Sequence, residues 1–249
     1  MQNELSLPRT AIVTGGAKRI GAALAHALAK DGWTVLIHYN KSRAEAEAHA
    51  AELGGASVQA DLALPDAAER VMAALDGLPP PRLLVNNASR FVLDGAKDFD
   101  PAGWDAHFDI NLRAPALLSQ AYAARAEAGL IVNLLDAKLA APNPDFFTYT
   151  LSKIGLAGLT ELSARALAPA IRVCGIAPSV TLVSGPQSRA NFEQVHDLNA
   201  LGRGVEVTEI VAALRFLIAT PTITGQTITL DGGQRFLSLA RDVQFLKDN

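Results

Sequence analysis

The chain reads as an α/β protein, a single Rossmann-type domain with a doubly wound parallel sheet of about seven strands and helices on both faces. Three observations predict this. Apolar, β-favouring runs alternate with alanine-rich helical stretches along the sequence. Several strand candidates are continuously apolar, as strands covered on both faces must be. The first strand also leads through a glycine-rich turn into a helix.

The strand candidates are Thr10–Thr14, Thr34–Tyr39, Ser57–Ala60, Leu83–Asn86, Leu130–Leu135, Ile171–Ile176 and Gln226–Leu230. Helix candidates between them are Ile20–Asp31, Arg43–Leu53, Asp66–Leu75, Trp104–Ala128, Thr148–Ala168 and Thr208–Thr220. Crossovers joining such parallel strands are right-handed. The proline run within Leu78–Arg82 stops a helix before the fourth strand. Pro178–Gly204 lacks clear periodicity and follows the sixth strand, beside the edge where ligands bind in such sheets. It reads as a substrate loop near 179–203, with a plain surface excursion as the alternative. The Thr148–Ala168 helix is small or apolar almost all round, so both of its sides should be covered, one by the sheet and one by another subunit. The tail near 234–249 carries Phe236, Leu237, Leu239, Phe245 and Leu246, which is enough apolar surface to dock, on a neighbour's active site in one reading.

Bulk properties narrow the function. A length of 249 residues, 49% of them hydrophobic, permits one sizeable core. A net charge of -3 argues against a nucleic-acid or anionic-membrane surface. The only cysteine, Cys174, reads as a small buried hydrophobe, so neither an intrachain disulfide nor a thiolate metal cluster is available. No metal ligand is assigned. The N-terminal MQNELSLPRT lacks the charged and apolar blocks of a secretory signal, and no apolar run has the length of a membrane span. The expected setting is cytoplasmic.

Thr14-Gly15-Gly16-Ala17-Lys18-Arg19-Ile20-Gly21 has the context of a dinucleotide-binding turn, in which glycines admit pyrophosphate to the backbone and a helix start offers free N–H groups. A turn needing glycine only for its backbone angles is the plainer reading. An NAD site would place a carboxylate at the end of the second strand. Here that segment is His38-Tyr39-Asn40-Lys41-Ser42-Arg43, with charge and donors suited to a 2′-phosphate, so NADPH/NADP+ is expected. An ordinary solvated Lys/Arg pair is the alternative. Asp61, followed by Leu62, could accept from the adenine amino group or cap a turn. Asn86-Asn87-Ala88-Ser89 closes the fourth strand.

Tyr149 and Lys153 stand one helical turn apart on a shared face, and an ammonium near a phenol favours the phenolate. With the glycine-rich turn, Asn86-Asn87-Ala88, Asn111, Pro178 and Asp231-Gly232-Gly233, this pair resembles the short-chain dehydrogenase/reductase family, from Thr10 to about Gly233. The resemblance implies that Tyr149 donates a proton. It implies that Lys153 holds the nicotinamide ribose and lowers the tyrosine's proton affinity, and that Asn111 anchors a water or backbone link in the relay. The coenzyme would be lined by Gly15, Lys18, Arg19, Ile20, Gly21, Tyr39, Asn40, Lys41, Ser42, Asp61, Leu62, Asn87, Ala88, Ser89, Tyr149, Lys153, Pro178 and Ser179. The family's habit also implies a homodimer or homotetramer.

Two departures are informative. Most members have glycine where Arg19 stands, and serine where this chain has Asp136. An ionised aspartate would repel a developing oxyanion, which disfavours ketone reduction. A C=N acceptor instead needs a proton on nitrogen, and a buried carboxylic acid can supply it. These departures, with Ala-Lys-Arg in the turn, a His-Tyr-x-x-Ser stretch and an aromatic at Phe91, resemble the pteridine and dihydromonapterin reductases. By that resemblance a pterin or folate would stack between the nicotinamide and Phe91, with Arg19, Ser89, Asp136 and Tyr149 around it. The expected reaction delivers hydride to C6 of N5=C6 and a proton to N5. The rivals are a carbonyl reductase of the family, for instance of a 3-oxoacyl thioester, and a non-catalytic NADPH-binding sensor.

Overall fold

The computed structural model describes residues 8–185 and 187–246. Positions 1–7 of the N-terminal segment, position 186 of the expected substrate loop and positions 247–249 of the expected tail lie outside the described residues. Seven strands form one sheet: β1 Thr10–Val13, β2 Thr34–Tyr39, β3 Ala56–Gln59, β4 Pro81–Asn86, β5 Gly129–Leu134, β6 Ile171–Pro178 and β7 Thr227–Leu230. Their order is β3-β2-β1-β4-β5-β6-β7, and every pairing is parallel. The strand order reverses between β1 and β4, where such sheets open a crevice at their C-terminal edge.

The helices are α1 Arg19–Lys30, α2 Arg43–Leu53, α3 Ala67–Ala73, α4 Pro101–Phe108, α5 Ala114–Arg125, α6 Phe147–Leu167, α7 Arg189–Val195 and α8 Val207–Ala219. One core lies under α1, α2 and α8, where Leu24, Leu28, Ile210 and Leu214 meet Val13, Val35 and Val85. A second lies under α3 and α5 on the opposite face, where Val71, Leu118 and Tyr122 meet Ile12, Leu84 and Ile131. Central strands are buried on both sides, which is why their sequences lack alternation. Cys174 is fully buried in β6.

The long helix expected at Trp104–Ala128 differs from the structure. It starts at Pro101, capped by Asp100 accepting from the Gly103 N–H at 2.7 Å. A five-residue π-helical turn, Asp109–Arg113, then separates α4 from α5. The Asp-Pro pair was a readable start signal. The π turn has no comparable signal, because it depends on where Asn111 finds partners. The segment without periodicity also contains α7, capped by Ser188. On α6, Ile154 and Leu162 remain exposed. Among the described residues, no helix is long and apolar enough to cross a membrane.

Candidate active site

The crevice is a cleft of about 740 Å3 lined by the glycine-rich turn, the ends of β4, β5 and β6, the start of α6, the loop after β6 and the C-terminal tail. Gly15 has φ +61°, in the left-handed region that glycine occupies without strain. A Cβ on Gly21 would lie 2.2 Å from the Gly15 carbonyl and 2.6 Å from Asn87 Nδ2, so α1 starts in direct contact with the turn and with the end of β4. Asn87 Nδ2 donates to the Thr14 carbonyl at 2.8 Å, and the N–H groups of Asn87 and Ala88 donate to Thr14 Oγ1 at 2.9 and 3.0 Å. His38 joins this lattice. Its Nδ1 accepts from the Gly15 N–H at 3.2 Å, so Nε2 carries the proton and donates to the Ala60 carbonyl at 3.0 Å. Burial lowers its proton affinity, and a neutral ring suits both bonds. Sequence reasoning assigned His38 no role. Its one signal was a polar residue inside an apolar strand.

Arg19 explains the first departure. Its φ is +55°, left-handed backbone that disfavours a residue with a Cβ by about 1–2 kcal/mol. Its guanidinium reaches across the cleft, where Nη1 donates to the Val183 carbonyl in the loop after β6 at 2.7 Å. The left-handed backbone thus carries a bridge that glycine could not make. Lys18 is exposed and pairs with Glu45 of α2 at 2.8 Å.

Of the expected coenzyme residues, Gly15, Lys18, Arg19, Ile20, Gly21, Asn87, Ala88, Ser89, Tyr149, Lys153, Pro178 and Ser179 line the cleft. Tyr39, Asn40, Lys41, Ser42, Asp61 and Leu62 do not; they sit beyond it, at the C-terminal ends of β2 and β3. Asn40 and Lys41 are exposed, whereas Tyr39 and Leu62 are buried. Asp61 accepts from the Ala63 N–H at 3.1 Å, the turn-capping alternative for that residue. These features fit a dinucleotide. The turn's glycines leave no side chain over the first N–H groups of α1, which no side chain caps, and basic groups flank them.

On the other wall, Asp136 follows β5 and opens a 3-10 turn, Ala137–Ala140. One of its oxygens accepts from the Lys138 N–H at 2.8 Å and the other from the Tyr149 hydroxyl at 2.7 Å. Burial raises the Asp136 carboxyl, against the hydrogen bonds from Tyr149 and Lys138 and the charge of Lys153. Burial lowers Lys153 to about 8, against the charge of Asp136, and its ammonium donates to the Leu134 carbonyl at 2.6 Å. The lowering of the tyrosine's proton affinity expected from Lys153 meets opposing influences here. Burial, then the charge and hydrogen bond of Asp136, push the Tyr149 phenol well above its ordinary value.

Asn111 sits in the π turn. Its amide oxygen accepts from the Arg90 N–H at 2.8 Å and from Ser89 Oγ at 3.1 Å. Its amide nitrogen donates to the Arg90 carbonyl at 3.0 Å and to Ser152 Oγ at 2.9 Å. The side chain is saturated, so it positions the loop carrying Ser89 and Phe91, and only its backbone is left for a relay. Phe91 stacks on Phe146 with centroids 4.1 Å apart and meets the edge of Tyr149 at 4.7 Å.

The tail docks beside its own chain's cleft. Arg241 forks onto the Asp145 carboxylate at 2.8 and 2.9 Å, and the Asp242 N–H donates to it at 2.7 Å. Burial works to raise Asp145, but the bonds from Arg241 and Asp242 outweigh it and hold the carboxyl low. Lys138 donates to the Asp145 carbonyl at 2.5 Å and lies 3.5 Å from Asp242. Asp242, Val243 and Gln244 thereby become cleft walls. Sequence reasoning missed Lys138, Asp145, Arg241 and Asp242, because the group assembles only where the tail returns to Asp145, 96 positions from Arg241.

Comparison with known proteins agrees with this architecture. The Enoyl-(Acyl carrier protein) reductase family model matches residues 15–235. FolM alternative dihydrofolate reductase 1 from Brucella suis, solved in complex with NADP, superposes with a TM-score of 0.88 at 41% identity, over 93% of this chain and 96% of that one. Pteridine reductase 1 of Leishmania tarentolae is 30% identical, covering 90% of this chain and 95% of that protein. The 3-oxoacyl-acyl-carrier-protein reductase of Synechocystis is 31% identical, over 90% and 96% respectively. A reverse of strand order that opens onto a tyrosine and lysine one turn apart, matched over nine-tenths of its length, places the chain in the short-chain dehydrogenase/reductase family of oxidoreductases.

Proposed function

We propose that the protein is an NADPH-dependent reductase of dihydropterins, including dihydrofolate, acting on the N5=C6 bond. The carrying observation is the 2.7 Å hydrogen bond between Asp136 and Tyr149 in a setting that raises the carboxyl's proton affinity. Relatives named for pteridine and dihydrofolate reduction support this reading, and the NADP bound in the Brucella protein supports the coenzyme.

The turn from Gly15 to Gly21 would hold the pyrophosphate, with Lys18 and Arg19 beside it. Tyr39, Asn40, Lys41 and Ser42 would meet the 2′-phosphate, and Asp61 and Leu62 the adenine. Asn87, Ala88, Ser89, Pro178 and Ser179 would line the path to the nicotinamide, and Lys153 the ribose. When bound, the coenzyme supplies a hydride.

The chain's own part is proton delivery and orientation. As hydride adds to C6, the electron pair of the N5=C6 double bond moves onto N5, which takes the proton of neutral Asp136. The Tyr149 hydroxyl, already aimed at Asp136, returns a proton to it and is refilled from solvent. Phe91, braced by Phe146, offers a flat face for the pterin, Arg19 offers donors to its edge, and Ser89 Oγ, whose proton goes to Asn111, offers an acceptor.

A second reading, reduction of a 3-oxoacyl thioester, is favoured by the similarity to the Synechocystis reductase. Asp136 opposes it only when ionised, since a neutral carboxylic acid also donates to an oxyanion, so turnover and not this side chain separates the two readings. NADPH oxidation followed with dihydrobiopterin, dihydromonapterin, dihydrofolate and a 3-oxoacyl thioester separates the two. Turnover confined to the pterins is the expected result. Turnover on the thioester alone overturns the proposal.

A further inference from the structure

His26 of α1 meets His49 and Glu52 of α2 away from the cleft. His49 and Glu52 are three residues apart and share one face of α2. His26 Nε2 lies 2.9 Å from His49 Nδ1, and the two rings meet edge to face with centroids 4.8 Å apart. The Glu52 carboxylate stands 3.9 Å from His26 Nδ1 and 4.0 Å from His49 Nδ1. One ligand atom from each residue lies within 4.8 Å of the other two. All three side chains are partly exposed, so an ion can enter and a water can complete the set.

We infer that His26, His49 and Glu52 form a binding site for a borderline divalent cation of the zinc class, which clips α1 to α2. Zinc bonds of about 2.0–2.1 Å set tetrahedral ligand atoms about 3.4 Å apart. With one ligand atom from each residue and separations of up to 4.8 Å, the side chains must close by as much as roughly 1.4 Å, a movement within reach of rotation about their χ angles at this partly exposed site. Two imidazoles and one carboxylate select zinc, copper or nickel over magnesium and calcium, which prefer oxygen-rich sets. The contact between the rings also shows that at least one nitrogen presents a lone pair, as a metal ligand must.

The clip has a mechanical reason. On α2 only Ala46 and Ala50 are buried, so the apolar area holding this helix to its neighbours is small. A metal bridging α2 to α1 adds a tie where packing is thin. Neither the coenzyme reading nor the substrate reading is needed for this inference.

The test is calorimetric titration of the chelator-treated full chain with zinc chloride. One saturable site in the micromolar range is expected, with no heat from magnesium chloride. His26→Ala and His49→Ala should each weaken binding by at least about 30-fold, and Glu52→Gln by about 10-fold. With free zinc at roughly ten to a hundred times Kd, the thermal midpoint should rise by about 3–10 °C in the natural chain and not in the double histidine variant. Cobalt(II) should give visible d–d bands that the double variant loses. Glu52 is exposed, so its variant folds and decides the matter even if a histidine variant does not. Binding undiminished in these variants, or no saturable binding, overturns the inference.

Discussion

The two walls of the cleft are built on different physical principles. The coenzyme wall, formed by the ends of β1, β2 and β4 and the start of α1, is largely backbone: glycine angles, close approaches and amide ladders through Thr14, Asn87 and His38. The substrate wall is made of side-chain charges. Asp136, Lys138, Asp145, Tyr149, Lys153, Arg241 and Asp242 arrive from β5, α6 and the tail and perturb one another. Backbone geometry fixes a shape that many related proteins can share. Coupled charges set the proton affinities on which a chemistry depends, and the proposed reaction rests on Asp136 among them.

Substitutions on the two walls should therefore fail differently. The largest effect is expected for Asp136→Ala. Dihydropterin turnover should fall by about 10²–10⁴-fold while NADPH affinity, measured by fluorescence titration, stays nearly constant. Equal loss of both would make Asp136 a structural residue of both walls. The pH profile sharpens the same point. On the proposed mechanism the active form of Asp136 is the neutral acid, populated below its raised pKa and lost as pH rises through it. Lys153 loses its charge near 8. Turnover should thus decline on the alkaline side as both groups titrate. Asp136→Asn should remove the Asp136 contribution from whatever activity survives, and an unchanged profile would assign the decline to another group.

On the coenzyme wall, Gly21→Ala drives a Cβ into the Gly15 carbonyl and Asn87. Overpacking of this kind costs about 1–3 kcal/mol, so the thermal midpoint should fall by roughly 3–10 °C and NADPH binding should weaken. Undisturbed melting and binding would show that the turn is not the rigid template described above. Phe91→Ala should raise the pterin KM by about 2–10-fold with kcat little changed, the scale of one lost aromatic contact. An unchanged KM would remove the stacking role. The smallest effect belongs to Arg241→Ala, whose guanidinium is exposed. Releasing the tail should raise the pterin KM severalfold and leave coenzyme binding alone, and a coenzyme defect would show that the tail serves both walls.

The readable part of this molecule is the part encoded by local pattern. Continuous apolar runs marked β1, β2, β4, β5 and β6, Gly15 and Gly21 marked the turn, and the four-residue spacing of Tyr149 and Lys153 marked a helix face. The π turn at Asn111 escaped because a helical period does not reveal where a side chain finds four partners. His38 escaped because its partners lie on other strands. Asp136 was legible as an unusual residue, but its bond to Tyr149 required β5 and α6 to be placed in space.

Composition and periodicity alone thus account for the parallel sheet and the position of the glycine-rich turn, since both follow from neighbours in the chain. Only the folded chain decided that Arg19 would span the cleft to Val183, that burial and Asp136 would raise the proton affinity of the Tyr149 phenol and that the tail would lock onto Asp145. Each of these is an interaction between groups far apart in sequence, and its strength depends on burial and distance, which residue order does not specify.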